Sequence, residues 1–403
     1  MKFAVHALQN EQPVLLFYDS ETNLVTDKKG NLLLEPQGDP DVAITDFSSK
    51  CNPIERKSHM EVVHLMLGTN CNNNCTFCEV RLQQFYCSSI KDVDSFVERL
   101  RASSVTFERV RLWGGEPLVY WKTLKRLLPA LKEYLPNVKF SLVTNGFLLS
   151  KEKVDWMLDN SVDQISVSVE PFDCNDRNEK NLMLSQEGVD TLRYLKDKLK
   201  NRFSLFVTLM PTKTNIESTI RPFQDILGFD TNFCLIPLKC RSVLTWYSKK
   251  DVDELSSSIF HHYNERKPFE IGFADYFYRT FFGRLIRGSG VESVRTYCVM
   301  PYSSVTLDLQ GGVYSCHVRA NKQGDISNLR ELKMVGQFHW KERESCKRCP
   351  YLQMCGGLCS SLEQGDSFNC TCHNWRGMMD GVFRAVFGSL FGVYIEKISP
   401  FEQ

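Results

Sequence analysis

The chain has 403 residues, of which 42% are hydrophobic and 24% charged, the balance of an ordinary globular protein in water. This length exceeds what one hydrophobic core usually serves, so we expect two or three domains. The formal net charge of +1 gives no electrostatic reason to expect nucleic acid or an anionic membrane as a partner.

Neither end of the sequence predicts a secretion or membrane signal. The N-terminal residues contain no continuous apolar segment with a cleavage site, so we expect no signal peptide. The apolar run GVFRAVFGSLFGVYI is interrupted by Arg384 and is too short for a bilayer, which predicts a buried helix over 381–403 that packs on the body. We therefore expect a cytoplasmic protein, in which sixteen cysteines favour metal or redox chemistry over disulfides.

Residues 1–60 are predicted to form a small β-rich region. Turn-like segments such as DSETN and DKKGN separate short runs of strand-forming residues. These runs are FAVHAL, VLLFYD, NLVTD and NLLLEP.

Residues 61–290 alternate between short apolar runs and segments with helical periodicity. In QEGVDTLRYLKDKLK, for example, Val189, Leu192, Leu195 and Leu199 fall on one helical face. Such alternation predicts right-handed βαβ units and a parallel sheet, closed or partly closed, with its sites at the C-terminal strand ends. The six strand-like runs are VVHLML, VRLW, FSLVT, ISVSV, FSLFVTL and FCLIPL.

Residues 291–380 form a third region, in which the regular periodicity fades and cysteines become frequent. Eight of the sixteen cysteines lie between Cys298 and Cys372. A segment with so little regular apolar pattern needs covalent or metal staples to fold, and metal clusters would supply them.

Cys71, Cys75 and Cys78 follow the first predicted strand of the sheet, in the segment GTNCNNNCTFCEV. Their spacing lets three thiolates converge on one metal centre from a single loop at a strand end. Three cysteines are one short of the four that complete a zinc site or an iron–sulfur cluster. On spacing alone, a zinc site or three unrelated cysteines also remains open.

Short motifs follow the next three strands in the same order along the chain. Together with the CxxxCxxC spacing they resemble the radical S-adenosylmethionine (SAM) enzymes, over roughly residues 61–375. The motifs are GGEP (Gly114, Gly115, Glu116, Pro117), TNG from Thr144 and Asn145, and SVSVEP with Ser168 and Glu170.

The resemblance implies a partial (β/α)6 TIM-like barrel with a [4Fe–4S] cluster on the three loop cysteines. In that family the remaining iron is chelated by the amino and carboxylate groups of SAM. Reductive cleavage of SAM then gives a 5′-deoxyadenosyl radical, which abstracts hydrogen from the substrate. By the same resemblance, SAM would contact Phe77, Gly114, Gly115, Glu116, Pro117, Thr144, Asn145, Ser168 and Glu170.

The late cysteines are similar to the SPASM extension of these enzymes, which holds two auxiliary [4Fe–4S] clusters. This implies three [4Fe–4S] clusters in all, within an α/β protein that has a C-terminal iron–sulfur domain. A pair of zinc ribbons is the alternative. The implied ligands are Cys298, Cys316 and Cys359 for auxiliary cluster I, and Cys346, Cys349, Cys355 and Cys372 for auxiliary cluster II.

Two ligand positions stay open in this comparison. Cys370 is an alternative to Cys372, although an aromatic–Arg pair follows Cys372 as it does in many relatives. The fourth ligand of auxiliary cluster I is not evident: Cys240 or Cys234 would supply it, or one iron is left open for a substrate group. No side chain stands out as a catalytic acid or base.

Enzymes with a SPASM extension mostly act on peptides or proteins, so the resemblance implies a precursor peptide as the substrate. We expect an intramolecular C–C or thioether crosslink, with a flavodoxin or ferredoxin as the electron donor. The alternatives are sulfatase-maturase-like protein oxidation, peptide epimerisation, small-molecule dehydrogenation and a zinc-stapled scaffold without catalysis. Residues 1–60 are either a reduced leader-peptide-binding element or a cap on the barrel, and a separate leader-binding protein is a further option.

Overall fold

The computed structural model describes residues 1–35, 37, 59–80, 85–171, 185–240, 243–288, 304–314, 316–318, 322–329, 340, 343–359, 362 and 364–401. Within these ranges it is a mixed α/β protein with two sheets. The predicted alternation of strands and helices is confirmed from residue 59 to 237.

The elements are numbered here in chain order. The strands are β1 (Lys2–Gln9), β2 (Gln12–Asp19), β3 (Val25–Thr26), β4 (His59–Met66), β5 (Thr106–Trp113), β6 (Lys139–Thr144), β7 (Val162–Val169), β8 (Phe203–Leu209), β9 (Asn232–Pro237), β10 (Ser304–Asp308), β11 (Gly312–Tyr314), β12 (Lys322–Asp325) and β13 (Tyr394–Pro400). The helices are α1 (Asp92–Ser103), α2 (Trp121–Tyr134), α3 (Lys151–Asp159), α4 (Gln186–Leu199), α5 (Ile216–Leu227), α6 (Lys249–Asn264), α7 (Phe273–Arg287), α8 (Glu344–Lys347), α9 (Leu352–Cys355) and α10 (Asp366–Phe391).

The larger sheet contains nine strands in the order β12-β11-β10-β4-β5-β6-β7-β8-β9. Strands β4 to β9 are parallel and lie in chain order, as successive βαβ units require. Strand β10 pairs with the other side of β4 as a seventh parallel strand. Strand β11 pairs antiparallel with β10, and β12 pairs antiparallel with β11 at the edge of the sheet. The C-terminal strand ends that carry the predicted motifs therefore all lie at the same end of the sheet.

Local sequence explains where the helices of this layer begin. Ser150, Ser185 and Asn215 precede α3, α4 and α5, and each side chain accepts a hydrogen bond from a backbone N–H of the first turn. Ser248 and Asp251 form a reciprocal capping box at the start of α6. Caps of this kind typically stabilise a helix by about 1 kcal/mol each.

Strand β8 shows how the sheet divides its two faces. Leu205 and Val207 are fully buried, whereas the alternating residues Phe206 and Thr208 are only partly buried. Because side chains alternate along a strand, the apolar set lies on one face and Phe206 and Thr208 lie on the other. Burial of a Leu or Val side chain contributes about 1.5–3 kcal/mol, so the helix-covered face contains most of the core.

The smaller sheet has the order β13-β1-β2-β3 and combines the two ends of the chain. Three of the four predicted N-terminal strands are present as β1, β2 and β3, whereas the described part of NLLLEP contributes only an isolated bridge from Leu32 to Thr26. Strand β13 pairs antiparallel with β1. The structure differs here from the predicted helix over 381–403: α10 ends at Phe391, and Gly392 follows in a left-handed conformation that ends the helix. The last residues then form a strand because β1 offers them a pairing edge.

The smaller sheet packs against the C-terminal half of the chain. The buried ring of Tyr18 contacts Phe281 of α7 edge-on, and it contacts Phe383 and Phe387 of α10 in the same way. Burial raises the pKa of the Tyr18 phenol well above its usual value, and the charge of nearby Cys349 raises it further. The N-terminal strands are thus part of the surroundings of the C-terminal cysteines.

Helix α10 connects the two halves of the molecule. A Cβ atom at Gly381 would lie 2.5 Å from the backbone oxygen of Ser256, so only glycine permits this close approach of α10 to α6. Asp380 accepts hydrogen bonds from Ser256 and from the hydroxyl of Tyr351, which lies in the cysteine-rich segment.

Among the residues that the structure describes, no helix combines the length and the apolar character needed to cross a bilayer.

Candidate active site

The loop that follows β4 is held against the loop that follows β5. The backbone N–H of Gly115 donates to the carbonyl of Gly68 over 2.8 Å, and that of Glu116 donates to the carbonyl of Asn70 over 2.9 Å. The hydroxyl of Tyr120 accepts from the N–H of Asn70 over 3.0 Å. These contacts fix the start of the cysteine loop relative to the sheet.

The two glycines of the GGEP motif allow this contact. A Cβ atom at Gly115 would lie 2.4 Å from the backbone oxygen of Asn70, and one at Gly114 would lie 2.6 Å from that of Gly68. Gly114 also has a φ of +149°, which side chains disfavour. The close neighbour of both glycines is therefore the backbone of the cysteine loop.

Glu116 connects the ends of β5 and β6 from a buried position. Its carboxylate accepts hydrogen bonds from the hydroxyl of Thr144 and from the backbone N–H of Asn145, both at 2.7 Å. It also accepts from the N–H of Leu118 over 3.0 Å. A carboxylate with several donors is strongly held, so the GGEP and TNG motifs form one unit.

Asn145 extends this unit to the cysteines. Its side-chain amide donates to the oxygen of Asn72 over 2.8 Å and lies 3.7 Å from Sγ of Cys71. The pKa of the Cys71 thiol is raised, mainly by burial and further by the charges of Glu116 and Cys78. Cys71 and Cys78 are therefore near enough to influence each other, as ligands of one centre must be.

One cavity of about 530 Å³ lies at this end of the sheet, within the range of small-molecule sites. Side chains from seven strands, β4 to β10, line it, so the sheet curves around it. All three loop cysteines line the cavity. The predicted SAM-contacting residues that also line it are Phe77, Gly114, Gly115, Glu116, Thr144, Asn145 and Ser168.

Pro117 and Glu170 are the two predicted SAM contacts that do not line this cavity. Both are buried, and Pro117 begins a short 3₁₀ turn after Glu116. Pro117 therefore has a structural place in the motif, and Glu170 lies at the end of β7 beneath the surface.

His64, Arg111, Trp113 and His317 line the same cavity, although the sequence patterns did not assign them to the SAM site. The rings of His64 and His317 are stacked 4.8 Å apart, and Trp113 meets His317 edge-on at 4.7 Å. The sequence signal was weak, because β4 and β5 also contain other polar residues, Glu61, Glu108 and Arg109. Alternation along β4 and β5 places His64 and Arg111 on the face opposite the helices.

The cavity offers polar atoms that need a ligand. Nδ1 of His64, Nε1 of Trp113 and both amide atoms of Asn73 are buried, with no hydrogen-bond partner among the described residues. Burial, and secondly the charge of Arg111, lowers the pKa of His64 to about 3, so its imidazole is neutral at physiological pH. Buried polar atoms without partners are costly, so the cavity fits a ligand rich in polar groups.

The donor set at the cavity rim also fits an iron–sulfur cluster. Thiolates are the usual ligands of such clusters, and here three come from one loop. No three His, Cys, Asp or Glu side chains in the described ranges are arranged around a single metal ion. A cluster does not need that arrangement, because each thiolate binds a different iron.

The C-terminal cysteines form a second group. Cys349 lies within electrostatic range of Cys372 and Cys346, and burial together with their charges raises the pKa of its thiol to about 12. The pKa of Cys355 is also raised, first by burial and then by Cys372, Cys349 and Cys346. The structure thus brings together the four cysteines that the SPASM resemblance assigned to auxiliary cluster II.

Cys240 and Cys370 are joined by a disulfide in this structure, whereas the sequence favoured metal or redox chemistry over disulfides for the cysteines. The pair links the segment after β9 to α10. In this state neither sulfur can bind iron, so a role of Cys240 as fourth ligand would require the reduced pair. Cys234 is buried, which raises the pKa of its thiol to about 12, and it lies against Gly272.

The residues predicted for auxiliary cluster I are described only in part. Cys298 lies outside the described residues. Cys316 is buried, and the two residues after it, His317 and Val318, line the cavity. Cys359 is buried near Arg343. This ligand set stays a prediction.

The fold, the cysteine loop and the two linked motifs define the class of protein. Residues 65–221 match the family model of the radical SAM superfamily. The chain therefore contains a radical SAM domain, the domain of a superfamily of enzymes that use SAM and a [4Fe–4S] cluster.

Individual relatives extend beyond this domain. The radical SAM cyclopropyl synthase TigE of Paramaledivibacter caminithermalis is 19% identical over 376 residues, which cover 85% of this chain and 77% of that protein. The GTP 3′,8-cyclase of Helicobacter pylori is 27% identical over 146 residues, or 35% of this chain and 44% of that protein. The second match is limited to part of each chain.

Solved structures have the same fold over most of the chain. The structure of anSMEcpe with bound AdoMet covers 82% of this chain and 99% of its own, with a TM-score of 0.60 and 16% identity. Streptococcus suis SuiB bound to its precursor peptide SuiA covers 77% of this chain and 74% of its own, with a TM-score of 0.51 and 15% identity. Both likenesses extend well outside residues 65–221.

Proposed function

We propose that this enzyme is a peptide maturase that uses three [4Fe–4S] clusters and crosslinks a ribosomally made precursor peptide. The observation that carries the proposal is the presence of two separate cysteine groups in one molecule. Cys71, Cys75 and Cys78 lie at the cavity, whereas Cys346, Cys349, Cys355 and Cys372 lie together in the C-terminal region. Two groups of this kind suit a division between radical formation and a later electron transfer.

The first group would hold the cluster to which SAM binds. When bound, the cluster and SAM supply a 5′-deoxyadenosyl radical that abstracts hydrogen from the substrate. The contacts of Glu116 with Thr144 and Asn145 hold the rim of the cavity in place for these ligands. The buried floor of the cavity keeps water away from the reacting carbon.

The substrate would enter the part of the cavity that His64, Trp113 and Arg111 line. The neutral imidazole of His64 offers a hydrogen bond to an amide or carbonyl group without adding charge. The ring of Trp113 supplies an apolar surface for a side chain, and Arg111 supplies a positive charge. A peptide segment presents all three kinds of complementary group.

The second group, together with Cys316, Cys359 and Cys298, would hold the auxiliary clusters. Cys316 immediately precedes two residues that line the cavity, which favours a cluster near the substrate as acceptor of the second electron. The fourth ligand of that cluster stays open between Cys240 in its reduced form, Cys234 and a substrate group. A flavodoxin or ferredoxin would supply the first electron.

We further propose a structural role for residues 1–60 and leader capture by a separate protein. Strands β1 and β2 pack through Tyr18 on α7 and α10, beside the C-terminal cysteine group. Their edges are partly covered, because β13 occupies the outer side of β1. An element that completes the surroundings of a cluster is poorly placed to exchange a bound leader.

The proposed activity is tested by anaerobic incubation of the reconstituted enzyme with SAM, a reductant and the short peptide encoded beside its gene. Mass spectrometry should show a peptide lighter by about 2 Da, because each new bond removes two hydrogens. Fragmentation should show a block of uncleaved bonds between the joined residues. An unchanged peptide mass with exchange of one hydrogen for deuterium from solvent would instead indicate epimerisation.

A second candidate is oxidation of a residue in a protein, as the likeness in fold to anSMEcpe suggests. It predicts no crosslink and yields a carbonyl that reacts with hydrazine reagents. Oxidation of a serine to the aldehyde gives the same loss of about 2 Da. Conversion of a cysteine to that aldehyde replaces its sulfur by oxygen from water and lowers the mass by about 18 Da. We favour formation of a carbon–carbon bond because TigE, which is similar over most of the chain, is named as a cyclopropyl synthase, and closure of a cyclopropane ring forms such a bond. Derivatisation of the product separates the two activities.

A further inference from the structure

Arg343 is a buried cation beside the C-terminal cysteine group. Only 2% of its surface is exposed, and it lies immediately before α8, which carries Cys346. A guanidinium stays protonated at every pH at which proteins fold, so this position is permanently charged. Burial of a charge is strongly unfavourable unless hydrogen bonds and opposite charges offset it.

Hydrogen bonds hold the two terminal nitrogens of this guanidinium. Its two terminal nitrogens donate to the backbone oxygens of Gly357 (2.5 Å), Cys359 (3.3 Å) and Leu362. The ring of Phe368 lies 4.3 Å from the guanidinium carbon and covers one face. These neutral contacts orient the side chain, but they bring no formal negative charge to it.

The opposite charge comes from sulfur. Four cysteines lie within electrostatic range of Arg343, and as thiolates they would stabilise its charge: Cys346, Cys359, Cys355 and Cys372. Three of these belong to the proposed ligand set of auxiliary cluster II, and Cys359 belongs to that of auxiliary cluster I. A cluster bound by thiolates carries net negative charge, which a nearby buried cation stabilises most strongly in the more reduced state.

We infer that Arg343 is an electrostatic positioning residue of the C-terminal iron–sulfur site, and that its charge raises the reduction potential of the bound cluster. The inference rests on the proposed function, because it needs iron at these cysteines. The hydrogen bonds to Gly357 and Cys359 place the charge, and the low-dielectric surroundings strengthen its effect. A higher potential makes this cluster a better acceptor for an electron released at the substrate.

The test compares two arginines in the same segment. Arg348 lies between Cys346 and Cys349 but is exposed, so solvent screens its charge. Arg343→Met and Arg348→Met remove the same charge, and both are prepared in a Cys71→Ala, Cys75→Ala, Cys78→Ala background that lacks the SAM-binding cluster. Iron per chain and the midpoint potentials from a redox titration followed by electron paramagnetic resonance are measured.

We expect a clear shift of one midpoint to more negative potential in Arg343→Met, with a much smaller shift in Arg348→Met. Equal shifts in both variants, or none in Arg343→Met at full iron content, would overturn the inference. If Arg343→Met binds no iron, Arg343→Lys is measured in its place, because lysine keeps the positive charge. Wild-type iron content and midpoint potential in Arg343→Lys support a role of the charge, and loss of iron from Arg343→Lys contradicts it. Absence of iron from the parent protein itself would refute the proposed function instead.

Discussion

The hydroxyl of Thr144 donates a 2.7 Å hydrogen bond to the buried carboxylate of Glu116. The bond joins the ends of two neighbouring parallel strands directly beneath the cysteine loop. Glu116 in turn holds the backbone of Asn145, whose amide reaches Cys71. Two motifs that are 28 residues apart in sequence therefore act as one support for the site.

Thr144→Val removes this donor and keeps the shape of the side chain. The buried carboxylate of Glu116 loses one charged hydrogen bond, worth about 1.5–3 kcal/mol. Because this bond orders the rim of the cavity, we expect the affinity for SAM to fall by about tenfold. Equilibrium dialysis with labelled SAM measures the loss. Thr144→Ser keeps the hydroxyl and should bind SAM nearly as wild type, and equal weakening in both variants would contradict the role of this bond.

Gly115→Ala should abolish the iron of the loop cluster. The new Cβ would lie 2.4 Å from the backbone oxygen of Asn70, so the cysteine loop has to move away from the sheet. We expect a loss of about four iron per chain. The control is Gly388→Ala, where the nearest atom lies at an ordinary 3.4 Å and helix α10 should be slightly stabilised. Full iron content in Gly115→Ala would show that the loop tolerates displacement.

Cys372 and Cys370 are neighbours in sequence with different expected roles. Cys372→Ser should lose about four iron per chain, because it removes one ligand of the C-terminal cluster. Cys370→Ser should keep its iron, since Cys370 is paired with Cys240 in the segment after β9. Iron analysis after anaerobic reconstitution distinguishes the two. The reverse result would assign the cluster to Cys370.

His262 predicts a pH dependence of stability away from the metal sites. Burial, and secondly Lys267, lowers the pKa of this histidine to about 4 in the folded chain. In the unfolded chain its pKa is near 6.5, so acid protonates the unfolded state first and stability falls as the pH drops below about 6.5. From pH 7.5 to 5 we expect this residue to cost about 2 kcal/mol.

The contribution of His262 is measured by urea unfolding of wild type and His262→Leu at both pH values. The wild type should lose more unfolding free energy on acidification than the variant does. The difference between the two losses isolates His262 from the other titrating groups. Equal losses would mean that His262 is protonated in the folded chain at pH 5.

The regular part of the fold could be predicted from the sequence because its signals are local. Six apolar runs alternate with amphipathic segments such as Gln186–Leu199, and each run became a parallel strand. The strand Tyr394–Pro400 could not be predicted in this way. It forms because β1, nearly 400 residues earlier, offers an edge, and no local pattern in an apolar tail encodes that contact.

The site was predictable where residues are required by type and spacing. Thiolates for a cluster and glycines for a close backbone contact leave short motifs, and seven of the nine expected SAM contacts line the cavity. The roles of His64 and Arg343 depend instead on what lies around them after folding. The sequence around a single histidine or arginine does not predict that the residue will be buried. It also does not predict that a thiol from another segment will lie beside it.

The central claim is that the loop cysteines make the radical and the C-terminal cysteines hold separate clusters. The most direct measurement is iron content together with 5′-deoxyadenosine formation, in wild type and in the variant with Cys71, Cys75 and Cys78 replaced by alanine. We predict about 12 iron per wild-type chain and about 8 in the variant, with SAM cleavage in the wild type only. SAM cleavage by the variant, or zinc in place of iron in the wild type, would contradict the account.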